Sequence, residues 1–274
     1  MSSIASLAQR LHGGTNVYRS RLDCLAVLRA VARSSPAWWT PSCTAFVDEA
    51  ESLRSTAHAS SPGARRHAIV LVEGLDGTGK TLITRTLAAR LPGVALSTPP
   101  PQFAVLRETF RHEEEAVARA FYSAANYIAA DAIVAAAQTS VVVVDRWWCS
   151  TCAMALANSC RYDALPPAGD VVYRWPEDLP SPDVGVLLSV DEAVRVARVR
   201  KRAPEDAEER RLSAQAEMRC VALEAYRRTA VLTEVDAPSY RAAVNSILRL
   251  LQARGIATEA ELFTQAELDN IEPY

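Results

Sequence analysis

The stretch VEGLDGTGKTL, Val72 to Leu82, follows an apolar run that begins at Ala68 and precedes a helical pattern, TLITRTLAARL. A buried strand that breaks into glycines and re-forms as a helix is one supersecondary unit. Within it, Gly74-Leu75-Asp76-Gly77-Thr78-Gly79-Lys80-Thr81 fits G-x-x-x-x-G-K-[ST] in full. Glycines at these positions let backbone N–H groups close around phosphate oxygens. The helix behind them, with Leu82 in its first turn, adds its positive end. In this pattern Lys80 reaches the β- and γ-phosphates, and the Thr81 hydroxyl ligands Mg²⁺. The unit predicts an ATP site made of residues 74–82.

Further apolar runs lie at 94–96, 141–144, 184–190 and 230–235, separated by helical patterns. Strands apolar on both faces and spaced by helices imply a parallel sheet covered on both sides. The expected fold class is α/β: a three-layer P-loop NTPase fold with a five-stranded parallel sheet. The third run ends in Asp145-Arg146-Trp147. Carboxyl ends of strands are where such sheets bind ligands. There Asp145 can hold the metal or its water, and Arg146 can bridge phosphates through two N–H groups. The chain contains no Asn-Lys-x-Asp guanine reader, which lowers a GTPase reading.

The 274 residues are 49% hydrophobic and 23% charged, with a net charge of −2. That balance gives no basic field for nucleic acid or an anionic membrane, and no run is long enough to span one. Residues 1–35 carry five arginines and six serines against one acid, Asp23, with Ile4, Leu7, Ala8 and Leu11 on one helical face. Two readings stand open: an organellar transit peptide in the first 20–35 residues, or an amphipathic helix of the mature protein. Helices are expected near 20–34 and from Thr40 or Ser42 to about 58. HASSPGARR, 58–66, then leads into the catalytic domain. The boundaries are 1–66 for the N-terminal extension, 67–256 for the nucleotide domain and 257–274 for an acidic tail, expected to pack down as a solvated helix.

VEGLDGTGKT, DRW and PSPDVGVLLSV (180–190) together resemble the thymidylate-kinase family of nucleoside monophosphate kinases. STPP (97–100), RAFYSAANYIAADAI (119–133), DRWWCST (145–151) and YRWPEDLPSPD (173–183) resemble its mitochondrial UMP/CMP kinase branch. The resemblance covers roughly 67–240. It implies phosphoryl transfer from ATP, with Mg²⁺, to a pyrimidine nucleoside monophosphate, and a location in the mitochondrial matrix, with the cytoplasm as the alternative. Thymidylate kinase is the alternative, and a nucleotide-binding pseudokinase acting through protein partners is a rival of another class.

By the same resemblance Tyr122, with Phe121 beside it, takes the position of the aromatic that stacks on the acceptor base. One turn on, Asn126 stands where thymidylate kinases carry a base-reading arginine. An arginine only donates, whereas an asparagine amide both donates and accepts. Asn126 can thus serve uracil in one orientation and cytosine in the other, and this favours UMP/CMP-type acceptors over dTMP. Asp76 resembles the aspartate that accepts from the acceptor 3′-hydroxyl. Arg107 and Arg146 are candidates for the acceptor phosphate, and Arg119 a weaker one that pairs with Glu115. Trp147 is near enough to touch substrate, and Met154 lies near the ribose 2′ position.

Some family members place an arginine inside the phosphate loop, where this chain has Gly77. The missing cation is expected from RVARVRKRAPEDAEERR (195–211), which falls at the family's mobile lid, about 199–211. Arg198 and Arg202 lie one turn apart and face the donor; Arg210 or Arg211 closes on the reaction. The catalytic set is then Lys80, Asp145, Arg146, Arg202 and Arg210. Cys149 and Cys152 lack the second pair a zinc site needs and read as core thiols. The oligomeric state stays open, with a homodimer through the helices after the phosphate loop and the DR motif as the family's common arrangement.

Overall fold

The computed structural model describes residues 2–53, 67–201, 211–212 and 214–269. Five strands form one sheet: β1 (Ile69–Glu73), β2 (Val94–Ser97), β3 (Val142–Asp145), β4 (Val184–Ser189) and β5 (Leu232–Asp236). All pairings are parallel, in the order β2-β3-β1-β4-β5. Every expected apolar run became a strand. Every residue of β1 is buried, as are Val142–Val144 of β3 and Val184–Leu188 of β4, whereas the edge strands β2 and β5 are half exposed.

The chain leaves β1 toward β2 on one side and leaves β3 toward β4 on the other. Oppositely directed connections open a crevice at the carboxyl ends of β1 and β3. Because Val72 pairs with Asp145, the glycine loop and the 145–147 turn emerge side by side.

Helices α4 (Lys80–Arg90) and α10 (Tyr240–Ala253) cover one face. Helices α6 (Glu115–Ala136), α7 (Trp148–Ser159) and α9 (Ala216–Arg228) cover the other. The short α5 (Ala104–Phe110) and α8 (Glu192–Arg200) flank the crevice, and α11 (Gln265–Asp269) is the last helix among the described residues. Among the described residues no helix is long and apolar enough to cross a membrane.

The N-terminal helices α2 (Arg21–Ser34) and α3 (Pro41–Ser52) share one hydrophobic core with α6 and α7, and α1 (Ser2–His12) packs the partly buried Ile4, Leu7 and Leu11 against it. Ser20 caps α2 by accepting from the Asp23 N–H, a bond that satisfies one of the free donors of a helix start. The segment before α2 is strapped to the domain. The Tyr18 hydroxyl donates to Ala116 O at 2.7 Å, and Trp148 Nε1 donates to Tyr18 O at 3.0 Å. The Arg21 N–H donates to Asp178, whose other oxygen accepts from the Tyr127 hydroxyl.

Phe46 of α3 meets Phe103 and Phe121 at 4.9 Å each, and Phe121 stacks on Phe110 at 4.6 Å. The extension thereby fixes α5 against α6. Helix α3 stops at Ser52 rather than near 58, and residues 54–66 lie outside the described set.

The tail differs from a packed-down helix. Residues 256–264 are not helical; they are tied down by Phe263, whose N–H donates to Asn245 Oδ1 at 2.7 Å and whose ring lies 3.8 Å from the Arg90 guanidinium carbon. Among the described residues of the tail, only Gln265–Asp269 is helical.

Candidate active site

A cavity of about 420 Å³ opens in the crevice. Its floor is the phosphate loop. β1 delivers Gly74 in the left-handed region (φ 149°), where a Cβ would lie 3.0 Å from Leu188 O. Gly77 has φ 86°, and a Cβ there would stand 2.7 Å from Val199 of α8 and 2.8 Å from Arg195 O. No side chain fits at residue 77, which gives the physical reason that the loop carries no arginine. Arg195 itself is buried, donating to Asp76 O at 2.9 Å and to Glu192, so it ties α8 to the loop.

Lys80 opens α4 and is buried, its Nζ 2.7 Å from Leu75 O and 3.8 Å from Asp76. Burial, together with the Arg146 charge, pulls its ammonium down to about 8, while Asp76, Asp145 and Glu73 hold it up. The Thr81 hydroxyl donates to Asp145 Oδ2 at 2.7 Å. Asp145 Oδ1 is buried and has no hydrogen-bond partner among the described residues. An acceptor-only oxygen left unpaired beside a hydroxyl suits a hard divalent cation such as Mg²⁺.

Arg146 sits on a positive-φ turn (66°) that swings its fork back over the loop. Nη2 donates to Asp76, and Nη1 donates to Gly74 O at 3.2 Å and Ser150 Oγ at 3.0 Å. Behind it stands a residue that the sequence analysis passed over. Glu73 is fully buried and accepts from the N–H groups of Trp147 (2.9 Å) and Ser150 (3.1 Å) and from Ser150 Oγ (2.5 Å). Ser150 and Arg146 also meet the Tyr226 hydroxyl of α9. An acid ending an otherwise apolar strand was the available signal for Glu73. Tyr226, 76 residues from Ser150, left none.

Burial pushes the Glu73 carboxyl up to about 7, while the Ser150 hydrogen bond and the Arg146 charge pull it down. Its folded value lies above the ordinary 4.5, so the group's stability contribution is fully present below about 4.5 and is lost as pH rises through about 7. Across that window wild type is expected to lose roughly 3 kcal/mol relative to Glu73→Gln. Denaturant midpoints at pH 4.5 and 8 measure it, and a parallel pH dependence in the two proteins would refute it.

The side walls carry the remaining expected groups. Tyr122, Asn126 and Arg119 come from α6, Arg107 from α5, Thr151 and Met154 from α7, and Trp147 from the residue before it. With Lys80 and Arg146, four cations among the described residues line the cavity. Arg119 is buried, bonded to Glu115 at 2.7 Å, and its guanidinium carbon lies 5.1 Å from the Tyr122 ring centroid. The sequence makes it a weaker candidate than Arg107, yet it lines the same cavity. Asn126 Nδ2 donates to Thr151 Oγ1 at 2.9 Å, and Trp147 Nε1 donates to Asn126 O at 3.2 Å.

Several expectations fall elsewhere. Phe121 does not reach the cavity; it is wholly buried against Phe46 and Phe110, because the helical period turns it a hundred degrees from Tyr122. Leu82 is exposed on α4, and Gly74, Leu75 and Thr78 form the loop without lining the cavity. Arg198 Nη2 donates to Pro238 O at 3.2 Å and does not line the cavity. Arg202 and Arg210 lie outside the described residues. Cys149 and Cys152 are buried, their thiols 3.7 Å from Thr229 Oγ1 and 3.6 Å from Val172 O, and burial pushes both up.

The family model for thymidylate kinase matches residues 72–247, spanning the loop, both cavity walls and the last strand. The chain belongs to the thymidylate kinase family. It is 37% identical over 171 residues to human mitochondrial UMP-CMP kinase 2, covering 61% of this chain and 38% of that protein. It is 31% identical over 146 residues to a thymidylate kinase of Xylella fastidiosa strain M12, covering 49% of this chain and 64% of that protein. The chain thus spans between about two fifths and two thirds of these relatives' lengths. The fold resembles a solved thymidylate kinase from Candida albicans at TM-score 0.53 and 17% identity, over 73% of this chain and 96% of that one.

Proposed function

We propose that this chain transfers the γ-phosphoryl group of ATP to a pyrimidine nucleoside monophosphate of the UMP/CMP or dUMP/dCMP type. An acceptor phosphate oxygen attacks the γ-phosphorus, the bond to ADP breaks, and a nucleoside diphosphate leaves with ADP. Such a transfer needs positioning and charge neutralisation rather than a side-chain nucleophile. Lys80 and the loop amides hold the donor, and Arg107, Arg119 and Arg146 face the acceptor phosphate. Mg²⁺, held by Thr81 and Asp145, supplies further neutralisation at the donor phosphates when bound.

The observation that carries the acceptor choice is Asn126. Its amide is buried in the cavity wall one turn from Tyr122, and Thr151 is its side-chain partner. An ADP-release assay with UMP, CMP, dUMP, dCMP and dTMP side by side tests the reading. Turnover with uridine and cytidine compounds is the expected result; turnover with dTMP alone, or with none, overturns it. In Asn126→Arg, CMP use is expected to drop about tenfold more than UMP use, because guanidinium N–H groups oppose the cytosine amino group. Equal losses on both bases would remove Asn126 from base reading.

A mitochondrial location completes the proposal. It is supported by the arginine- and serine-rich start of the chain and by the human relative's name. Residues from Val17 onward belong to the core, so a removable leader would end before them. Residues 1–16 fused to a fluorescent protein are expected to reach mitochondria; a diffuse cytosolic signal would count against it.

A further inference from the structure

Thr151 lies on α7 with its hydroxyl 2.9 Å from Asn126 Nδ2. The two residues are 7% and 2% exposed, and both line the cavity beside Trp147 and Tyr122. The amide has two unlike edges, one that donates and one that accepts. A buried partner that only donated, or only accepted, would fix which edge faces the cavity, and the site would then read one base.

A hydroxyl does neither of these exclusively. With Nδ2 toward Thr151 the hydroxyl accepts, and Oδ1 turns to the cavity, matching an exocyclic amino group. After a half-turn about the terminal torsion of Asn126, the hydroxyl donates to Oδ1 and Nδ2 turns to the cavity, matching a carbonyl oxygen. Terminal sp³–sp² torsions are broad and roughly two-fold, so both states are rotamerically open. The backbone of Asn126 is held by Trp147 Nε1 at 3.2 Å, which confines the change to the side chain.

We propose that Thr151 is a specificity-determining residue: its two-way hydroxyl lets one amide present either edge to the acceptor base, so one site accepts both 4-amino and 4-oxo pyrimidine nucleotides. Neither orientation leaves the inner edge of the amide buried and unpaired, so the choice between bases costs little on the protein side. The inference rests on the pyrimidine reading above and adds the residue that broadens it.

The test compares wild type, Thr151→Val and Thr151→Ser with UMP and CMP, reading kcat/KM for each acceptor and KM for ATP. Valine keeps the shape and deletes the hydroxyl; serine keeps the hydroxyl and deletes the methyl. Wild type is expected to use the two acceptors within about tenfold of each other. Thr151→Val is expected to lose about tenfold or more on both, since either orientation then strands an amide edge. Its KM for ATP is expected to stay within twofold of wild type, and Thr151→Ser is expected to recover both acceptors.

A wild type that favours one base by more than about a hundredfold would mean a fixed amide and overturn the proposal. So would a Thr151→Val protein with unchanged acceptor use, one in which ATP binding fell in parallel, or a Thr151→Ser protein no better than valine. Absence of turnover with every pyrimidine monophosphate in wild type would overturn the acceptor reading and this inference with it. A wild type active on both bases with an indifferent Thr151→Val would sink this inference alone.

Discussion

Lys80→Ala is expected to lower kcat by about 10³-fold, the scale on which one preorganised charge at a reacting centre acts, without lowering the denaturation midpoint. The two expectations come from the same geometry. Lys80 Nζ is buried, 2.7 Å from Leu75 O and 3.8 Å from Asp76, and burial draws its ammonium down to about 8. A cation held this way costs the folded protein free energy, because the charged form has left water. In the proposed function that cost is offset by the phosphates it would hold in the loop. Removing it relieves the burial cost and removes the donor contact together. Single-turnover rates with saturating ATP and acceptor, beside a urea melt, separate these effects. A loss of activity that tracks a loss of stability would make Lys80 a structural residue, and full activity would remove the loop from catalysis.

Arg146→Lys is expected to lower kcat/KM for the acceptor about 10²-fold, although the charge is kept, since a shift of about 1 Å in a positioning group costs that much. The guanidinium reaches Asp76 with one nitrogen and Gly74 O and Ser150 with the other, from a turn that Thr98 Oγ1 also braces by donating to Arg146 O. A planar fork spans these acceptors at once, whereas an ammonium is a point donor on a flexible stem. Lysine would break the bond to Asp76 or the bonds to Gly74 O and Ser150, and Asp76 would drift. Because Asp76 also neighbours Lys80, the defect should spread to the donor, with ATP KM rising less than acceptor KM. Steady-state kinetics with each substrate varied in turn checks this; less than a threefold change would show that charge alone suffices there.

Glu73 stands beneath both groups. Its carboxylate gathers the amides of Trp147 and Ser150 and so fixes the first turn of α7, on which Arg146, Trp147, Ser150 and Thr151 depend. The cavity walls are therefore registered to the end of β1 by one buried acid. The N-terminal helices do the same for α5 and α6 from outside, through Phe46, Phe110 and Phe121.

What the sequence determined by itself was local and periodic. A buried strand, three glycines, a lysine and a threonine within a few residues favour one backbone arrangement, so the strand–loop–helix unit from Val72 to Leu82 was legible. Apolar runs of strand length between helical patterns were enough to name five strands and their parallel sense. Tyr122 and Asn126, four residues apart on a long apolar helix, had to share a face. What only the tertiary structure decided was everything that joins distant stretches. The place of β1 between β3 and β4 follows from crossovers whose direction no local pattern encodes. Phe121, which the helical period turns off the Tyr122 face, finds its partner in Phe46 of α3, and Arg195 turned to the loop because Gly77 leaves room for α8. The bonds from Glu73 to Ser150 and from Asn126 to Thr151 cross 77 and 25 residues of chain. Such contacts are selected by the free energy of leaving no buried polar group unpaired, a condition set by the whole packed interior rather than by any one segment.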